Sequence, residues 1–257
     1  MMRLVSLCPS LTELVFSLGS GEELVGCTRY CVHPVDALKT TEDVGGTKDP
    51  DLERIIELAP DLVLFNEEEN RREDHQALVE AGLACYGTFP KNALETAAMV
   101  RGIGAAIERQ ACADQIAGDI EARVAKVREA ARAASAVRFA YLIWRGPWMS
   151  VNADTFASAL LCDAGGVNVF SGEPQRYPVI ELSALAAARP DTVLLSTEPF
   201  LFNATHVVEV AAALGLDARR VAVVDGEYLS WHGSRTPDGV DYAAGLVRAA
   251  RDLGPRK

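Results

Sequence analysis

Aromatic and cationic side chains are concentrated in three short segments of the second half of the sequence. Indole and phenol rings stack on flat ligands, and guanidinium groups bind carboxylate, amide or phosphate groups. The segments therefore predict a binding cleft for a ring-containing ligand. The candidate residues are Trp144, Arg145, Trp148, Arg176, Tyr177, Tyr228, Trp231, His232 and Arg235. The alternative interpretation is that these rings cap the ends of a hydrophobic core.

A second group, in the segment GCTRYCVHP, places the thiols of Cys27 and Cys31 close to the imidazole of His33. Thiolate and imidazole ligands bind transition metals, and His232 could complete a site with Cys31 and His33, so a direct metal receptor is one interpretation. In the other, Cys31 or His33 contacts an organic ligand. Because no second ligand group follows at matching spacing, we predict neither a protein-only metal site nor a resident cofactor.

The sequence contains no G-x-S-x-G, no G-x-G-x-x-G after a strand, no phosphate loop and no H-E-x-x-H. The glycines of GSGEELVG follow a predicted helix, so they indicate a helix end rather than a phosphate-binding loop. We therefore expect a binding protein rather than an enzyme.

Composition narrows the classes of partner. Of the 257 residues 49% are apolar, and 25 Lys and Arg against 36 Asp and Glu give a net charge of −11 without a basic cluster, which argues against nucleic acid. The six cysteines include no C-x-x-C pair. The start, MMRLVSLCPS, lacks the pattern of a secretory signal. We expect a cytoplasmic protein, or a periplasmic or extracellular one if a signal peptide has been removed.

An internal repeat indicates which elements position these residues. LAPDLVLF and ARPDTVLL lie 130 residues apart, and each follows apolar residues at helical spacing. Proline disfavours helical geometry in the residue before it, so each copy predicts a helix that ends and a buried strand that follows. Helices that feed buried strands are halves of βαβ units, which predicts an α/β fold with two lobes and parallel sheets.

The predicted lobes are residues 1–90 and 137–257, and residues 91–136 form a connecting helix. This stretch lacks proline and predicts one or two helices, interrupted near Gly102 and Gly104 or at Gln110. A helix of ~24 residues is about 36 Å long and would act as a stiff strut. A single doubly wound domain is the alternative.

Ligands bind beyond the carboxyl ends of the strands in open parallel sheets. One predicted strand ends at Asn66, and the strand TVLLS leads to Glu198 and Phe200. These three residues therefore join the candidate ligand-binding set.

The chain also resembles a known family over nearly its whole length. The matching stretches are RLVSLCPSLTELVFSLGSGEELVGCTRYCVHP, GGTKDPDLERIIELAPDLVLF and LLCDAGGVNVF with RYPVIELSALAAARPDTVLL. They are similar to the helical-backbone class of periplasmic binding proteins, which serve ABC importers of vitamin B12, iron-siderophores and haem, and the vitamin B12 binders are nearest in pattern. The resemblance implies two Rossmann-like lobes joined by a long backbone helix. It also implies a cobalamin-like corrinoid or another metal chelate, such as haem or a siderophore, in the cleft between the lobes.

The resemblance assigns roles by position. His33 stands at a cleft-lining aromatic residue of the B12 binders, whereas Tyr177 and Asn66 stand at cleft tryptophans. Trp231 lies in the last cleft loop.

In the family, one surface glutamate on each lobe pairs with arginines of the membrane permease. The counterparts here are Glu69 or Glu73 in the first lobe. In the second lobe the matching position is Ser183, and Glu181 is a neighbouring acidic residue. We expect a monomer. The competing hypothesis is a cytoplasmic corrinoid- or metal-handling protein or enzyme on the same fold, without a permease.

Overall fold

The computed structural model describes residues 2–254 and Arg256, and the chain divides into two compact α/β units. We call them lobe 1 and lobe 2. Lobe 1 comprises Met1–Pro90, Glu95–Asp119 and His232–Arg235. Lobe 2 comprises Lys91–Leu94, Ile120–Trp231 and Thr236–Lys257. The predicted α/β class with two lobes is confirmed, and the alternative of a single doubly wound domain is wrong.

Lobe 1 contains a five-stranded sheet in which every neighbouring pair is parallel, with the order β3-β2-β1-β4-β5. Its strands are β1 Leu4–Ser6, β2 Leu24–Cys27, β3 Glu42–Asp43, β4 Leu62–Asn66 and β5 Cys85–Thr88. The helices of the first half of the chain are α1 Pro9–Ser17, α2 Leu52–Glu57, α3 Arg72–Glu80, α4 Ala93–Ala106 and α5 Gln110–Arg132. All residues of β4 are buried, as expected of a strand covered on both faces.

Lobe 2 contains a second sheet with the order β10-β9-β6-β7, and β8 pairs with the first part of β6. Its strands are β6 Val137–Trp144, β7 Met149–Ser150, β8 Gly166–Asn168, β9 Thr192–Ser196 and β10 Val221–Val224. Only β7 runs antiparallel among these described strands. The helices are α6 Phe156–Asp163, α7 Leu182–Ala187, α8 Ala204–Leu214, α9 Glu227–Ser230 and α10 Thr236–Asp252.

The sequence repeat is a structural repeat in the same register. Helices α2 and α7 and strands β4 and β9 begin and end 130 residues apart. Between helix and strand, Ala59 and Arg189 adopt left-handed backbone angles, with φ of 43° and 48°. The proline that follows each of them separates helix from strand, as the sequence predicts.

An arginine closes the repeated turn in each lobe. In lobe 1 the main-chain N–H of Arg3 donates to Asp61 Oδ2 at 2.7 Å, and its guanidinium donates to the carbonyl of Leu58. In lobe 2 the N–H of Arg138 donates to Asp191 Oδ2 at 2.8 Å, and its guanidinium donates to the carbonyl of Ala188. Because the guanidinium donates to a carbonyl at the helix end, each arginine acts as a C-cap. It also connects the turn to the first strand of its sheet.

The long segment before lobe 2 consists of two helices rather than one. It is interrupted at 107–109, where Glu108 has a left-handed φ of 58°, immediately before the predicted position Gln110. Helix α5 has 23 residues, which corresponds to about 35 Å, and the division between the lobes falls inside it. Among the described residues, no helix is both long enough and apolar enough to cross a membrane.

Candidate functional site

Asn66, at the carboxyl end of β4, is fully buried and organises the loop that follows. Its Oδ1 accepts from the N–H groups of Glu68 at 2.9 Å and Glu69 at 3.1 Å, and its Nδ2 donates to the carbonyl of Thr88 at 3.0 Å. Asn70 stabilises the same loop, because its Oδ1 accepts from the N–H of Asn66. The hydrogen bonds of Asn66 are used to fix the loop that follows β4. This structural role differs from the direct ligand contact predicted from the sequence.

His232 is buried against the amide of Asn66, with Nε2 at 3.0 Å from Nδ2. Two main-chain donors fix the Asn66 oxygen on the other side, so the atom that faces the imidazole is the amide nitrogen, a donor. Nε2 must therefore accept, which places the proton of the neutral ring on Nδ1. The pairing attaches the segment His232–Arg235 to lobe 1.

Arg235 is held on the same lobe by helix α1. Its Nε donates to Glu13 Oε2 at 2.6 Å, and both side chains are about four-fifths buried, with exposures of 18% and 21%. Glu13 was not among the residues predicted from the sequence, because nothing in the local pattern connects residues so far apart along the chain. The guanidinium is thus oriented by a carboxylate before any ligand binds.

Cys31 lies in a buried polar environment on lobe 1. Its Sγ is 3.1 Å from Thr12 Oγ1 and 3.3 Å from Thr28 Oγ1. The neighbouring thiol of Cys27, together with these hydroxyls, lowers the pKa of Cys31 although burial opposes the shift, and the pKa of Cys27 is raised by Cys31 and by burial. His33 is half-buried nearby in sequence. Among the described residues, no group of three or more His, Cys, Asp or Glu side chains could hold a metal ion.

The structure brings three predicted rings of lobe 2 into one aromatic group. Trp144 meets Phe200 edge to face at 5.7 Å between ring centroids, and Trp148 stacks on Phe202 at 6.0 Å. Phe200 and Phe202 lie 4.7 Å apart, so the rings are continuous. Trp148 and Phe200 pack against the lobe 2 core, as the capping interpretation expects, whereas Trp144 is 38% exposed. Of these rings, Trp144 offers the most accessible face to a ligand.

Arg145 belongs to the same group. Its guanidinium lies 5.6 Å from the ring centroid of Trp148 and forms a bidentate ion pair with the carboxylate of Glu209, with both N···O distances 3.0 Å. The carboxylate of Glu209 raises the pKa of Arg145 further, so the side chain is cationic at every physiological pH.

Glu198, after β9, pairs with Trp231, which follows helix α9. The indole Nε1 of Trp231 donates to Glu198 Oε2 at 3.0 Å, and the main-chain N–H of Glu198 donates to Ser196 Oγ. Ser196 also accepts from the hydroxyl of Tyr141 at 2.8 Å, and burial raises the pKa of this tyrosine. The hydrogen bond to Glu198, which is itself bonded to the buried Ser196, fixes the orientation of the Trp231 ring. The ring remains partly exposed.

Arg176 and Tyr177 lie on a separate loop of lobe 2. The Nε of Arg176 donates to the carbonyl of Asp154 at 2.8 Å, and its guanidinium lies 5.6 Å from the ring centroid of Tyr177. Both side chains are half-buried. The predicted docking residues Glu69, Glu73 and Glu181 are exposed.

Two cavities lie away from all these residues. One of 340 Å³ in lobe 1 is lined by residues that include Phe16, Glu23 and Arg109. One of 380 Å³ in lobe 2 is lined by residues that include Lys126 and Arg248. Neither contains a residue of the predicted ligand-binding set.

Comparisons with known proteins agree with this architecture. Residues 4–222 match the model of the family described as Periplasmic binding protein. The Vitamin B12-binding protein of Vibrio cholerae is 22% identical over 249 residues, which cover 97% of this chain and 90% of that protein. The crystal structure of the periplasmic vitamin B12 binding protein BtuF of Vibrio cholerae superposes with a TM-score of 0.83 at 22% identity, covering 97% of this chain and 98% of that one. The apo periplasmic heme-binding protein RhuT of Roseiflexus sp. RS-1 gives 0.82 at 24% identity, covering 97% and 99%.

Proposed function

The chain belongs to the periplasmic binding protein family, and from that premise we propose that it binds a cobalamin-like corrinoid or another metal chelate, such as haem or an iron-siderophore, as the substrate receptor of an ABC-type importer. Members of this family are ligand receptors, so the expectation of binding without catalysis is confirmed. The identity of the ligand and the partner permease belong to the proposal.

The observation that carries the proposal is the aromatic and cationic character of the strand ends of lobe 2. Trp144 ends β6, Glu198 and Phe200 follow β9, and Trp231 follows the short helix α9 that comes after β10. Parallel strands deliver their carboxyl ends to one edge of a sheet, so these loops share that edge. Partly exposed rings with fixed orientation suit a large flat ligand because little side-chain entropy is lost when it stacks.

Cationic groups complement this chemistry. Arg176 lies beside the ring of Tyr177 in lobe 2, and Arg235 is oriented by Glu13 in lobe 1. Haem carries propionates, and corrinoids carry amide side chains and a phosphate, which guanidinium groups bind well. The names of the relatives, vitamin B12-binding and heme-binding, support the same two ligand classes.

Cys31 and His33 stay in the proposed ligand-binding set, and the half-buried imidazole is the more accessible of the two. Asn66 contributes indirectly, since it fixes the loop that carries Glu68 and Glu69 and holds His232.

Docking to a permease is proposed through Glu69 or Glu73 on lobe 1 and Glu181 on lobe 2. All three side chains are exposed, as a docking residue must be. Glu181 occupies the N-cap position of α7, one residue before the helix begins. We expect the receptor to act as a monomer outside the cytoplasmic membrane.

A second candidate function is an intracellular corrinoid- or metal-handling protein on the same fold. It is favoured by one observation, that each of the six cysteines, all within the described residues, is a free thiol. Free thiols are typical of a reducing compartment. Fractionation of the native host cells distinguishes the two, because the importer receptor must be found with the periplasmic or surface fraction.

Thermal unfolding with a panel of ligands tests the proposal. Cyanocobalamin, hemin and a ferric hydroxamate siderophore are added at about 100 times an expected micromolar Kd, and one of them should raise the free energy of unfolding by about 2.7 kcal/mol.

The variant Arg176→Ala should lower the affinity for that ligand severalfold and thereby reduce the stabilisation by about 1 kcal/mol. Arg219→Ala is the matched control, since Arg219 is an exposed cation of the same lobe that bonds Asp217. Equal loss in both variants, or no stabilisation by any of the three ligands, would contradict the proposal.

A further inference from the structure

Strand β2 ends at Cys27, and the chain turns back within four residues to bring Cys31 beside it. The turn is closed by the N–H of Cys31, which donates to the carbonyl of Thr28 at 2.9 Å. Cys27 and Cys31 are only 6% and 9% exposed, and each thiol has the largest effect on the pKa of the other, as expected of neighbouring side chains. Both belong to lobe 1. A disulfide bond brings its sulfur atoms to ~2.05 Å, and this short turn allows that approach through side-chain rotation and a small main-chain shift.

Cys31 is surrounded by groups that stabilise a thiolate. The hydroxyls of Thr12 and Thr28 lie 3.1 and 3.3 Å from its Sγ, and the neighbouring Cys27 thiol is the largest influence that lowers its pKa. These donors lower the pKa of Cys31 against the opposing effect of burial, while the pKa of Cys27 rises. Cys31 therefore has the properties of a nucleophilic thiol and Cys27 those of a proton-bearing partner.

Three other thiols, of Cys8, Cys85 and Cys162, do not share this environment. Burial raises the pKa of Cys8 to about 12, with a smaller contribution from the carboxylate of Glu69. Burial also raises the pKa of Cys85 and of Cys162. A thiol whose pKa is raised holds its proton at neutral pH and reacts slowly.

We propose that Cys27 and Cys31 form a redox-active dithiol that a hydroperoxide converts into an intramolecular disulfide. The thiolate of Cys31 attacks the peroxide, an S–O bond forms, the O–O bond breaks, and the leaving oxygen departs as hydroxide or alkoxide and takes up a proton. The sulfur of Cys27 then attacks Cys31, the S–S bond forms, the S–O bond breaks, and the departing hydroxide takes the proton of Cys27 to become water. The dithiol loses two electrons and the peroxide gains them.

Access to the pair is limited to small oxidants. The neighbouring side chains Tyr30 and Val32 are 55% and 49% exposed, so the turn lies at the surface even though the sulfur atoms lie beneath it. A peroxide molecule is small enough to reach Cys31 through modest motion of this turn.

Trypsin provides a direct readout because Arg29 lies between the two cysteines. Cleavage releases Cys27 in the peptide 4–29 and Cys31 in the peptide 30–39. The purified wild-type protein is treated with a few equivalents of hydrogen peroxide, its remaining thiols are alkylated, and it is digested without reductant. We expect the two peptides to be recovered joined, 2 Da lighter than their sum, and separated again by a reductant.

Single substitutions test which cysteines form the disulfide and which hydroxyl activates Cys31. The peptide 4–29 also contains Cys8, so Cys8→Ser should retain the cross-link and Cys27→Ser should abolish it. Thr12→Val removes one hydroxyl donor and should slow the reaction of Cys31 with peroxide severalfold. Ser10→Ala is the matched control on the same helix, because the Ser10 hydroxyl contacts Cys8 Sγ at 3.3 Å instead, and it should leave the rate unchanged.

The proposal is overturned if wild-type protein yields the two peptides separately alkylated, or if the cross-link survives in Cys27→Ser. Either result is independent of ligand binding, so the proposed receptor function stands or falls by its own experiment.

Discussion

Asn66 shows how one side chain can determine a loop at the candidate site. Its residue type and its position after a strand could be read from the sequence, which led to the prediction of a ligand contact. Its partners could not, because Thr88 and His232 approach from distant parts of the chain. The same limit explains why Glu13 was missed as the partner of Arg235. Residue types at strand ends are local information, whereas hydrogen-bond partners depend on packing.

We expect Asn66→Ala to lower the free energy of unfolding by about 3 kcal/mol. The substitution leaves the N–H groups of Glu68 and Glu69 and the carbonyl of Thr88 without their partner. Urea denaturation followed by circular dichroism measures the change. Glu67→Ala, at the exposed neighbouring position, should change stability by less than about 0.5 kcal/mol, and a similar effect of both variants would show that the amide network is unimportant.

Cys8 should make the protein less stable in alkali. Burial raises the folded-state pKa of Cys8 from 9.0 to about 12. Below pH 9 both states keep the proton, whereas between pH 9 and 12 the unfolded chain loses it first, so the free energy of unfolding falls as pH rises. At pH 10.5 this amounts to about 2 kcal/mol.

The variant Cys8→Ala lacks this ionisation. Its free energy of unfolding should therefore fall by about 2 kcal/mol less than that of the wild type between pH 8 and pH 10.5. Comparison at pH 8 separates the packing cost of the substitution from the ionisation. Identical losses in the two proteins would mean that the thiol is not protonated in the folded state at pH 10.5.

At the scale of elements, the repeat gave the most reliable prediction. Helices α2 and α7 and strands β4 and β9 correspond residue by residue because the Pro-Asp turn is a local signal. The interruption of the long helix was placed near Gly102 and Gly104 or at Gln110, and it lies at 107–109. Glycine spacing alone did not locate the break, because Gly104 serves close packing rather than the turn itself.

Two glycines of this helical segment should respond in opposite ways to alanine. A Cβ at Gly104 would overlap the Cβ of Ala113, so Gly104→Ala should destabilise the protein by about 2 kcal/mol. At Gly118 nothing lies within 4 Å, so Gly118→Ala should stabilise it by roughly 0.5–1 kcal/mol through helix propensity. Chemical denaturation of both variants checks the pair. Stabilisation by alanine at both positions would refute the close approach of α4 and α5.

At the scale of the whole molecule, the repeat predicted two lobes, and the acidic composition argued against a nucleic-acid partner. The lobe to which each short segment belongs could not be predicted from the sequence. His232–Arg235 belongs to lobe 1 although the residues on either side belong to lobe 2. No periodicity marks such a short segment, since its placement follows from the contacts of His232 with Asn66 and of Arg235 with Glu13.

Isothermal titration of the purified protein, separately with a corrinoid, with hemin and with a ferric siderophore, tests the central claim most directly. We predict saturable binding of one of these metal chelates with a Kd in the micromolar range or below, which corresponds to about −8 kcal/mol or stronger. The heat of binding should be reduced in Trp231→Ala, which removes the ring that Glu198 fixes in the loop after α9. Titrations without saturable heat for the corrinoid, for hemin and for a ferric siderophore would contradict the assignment of this chain as a metal-chelate receptor.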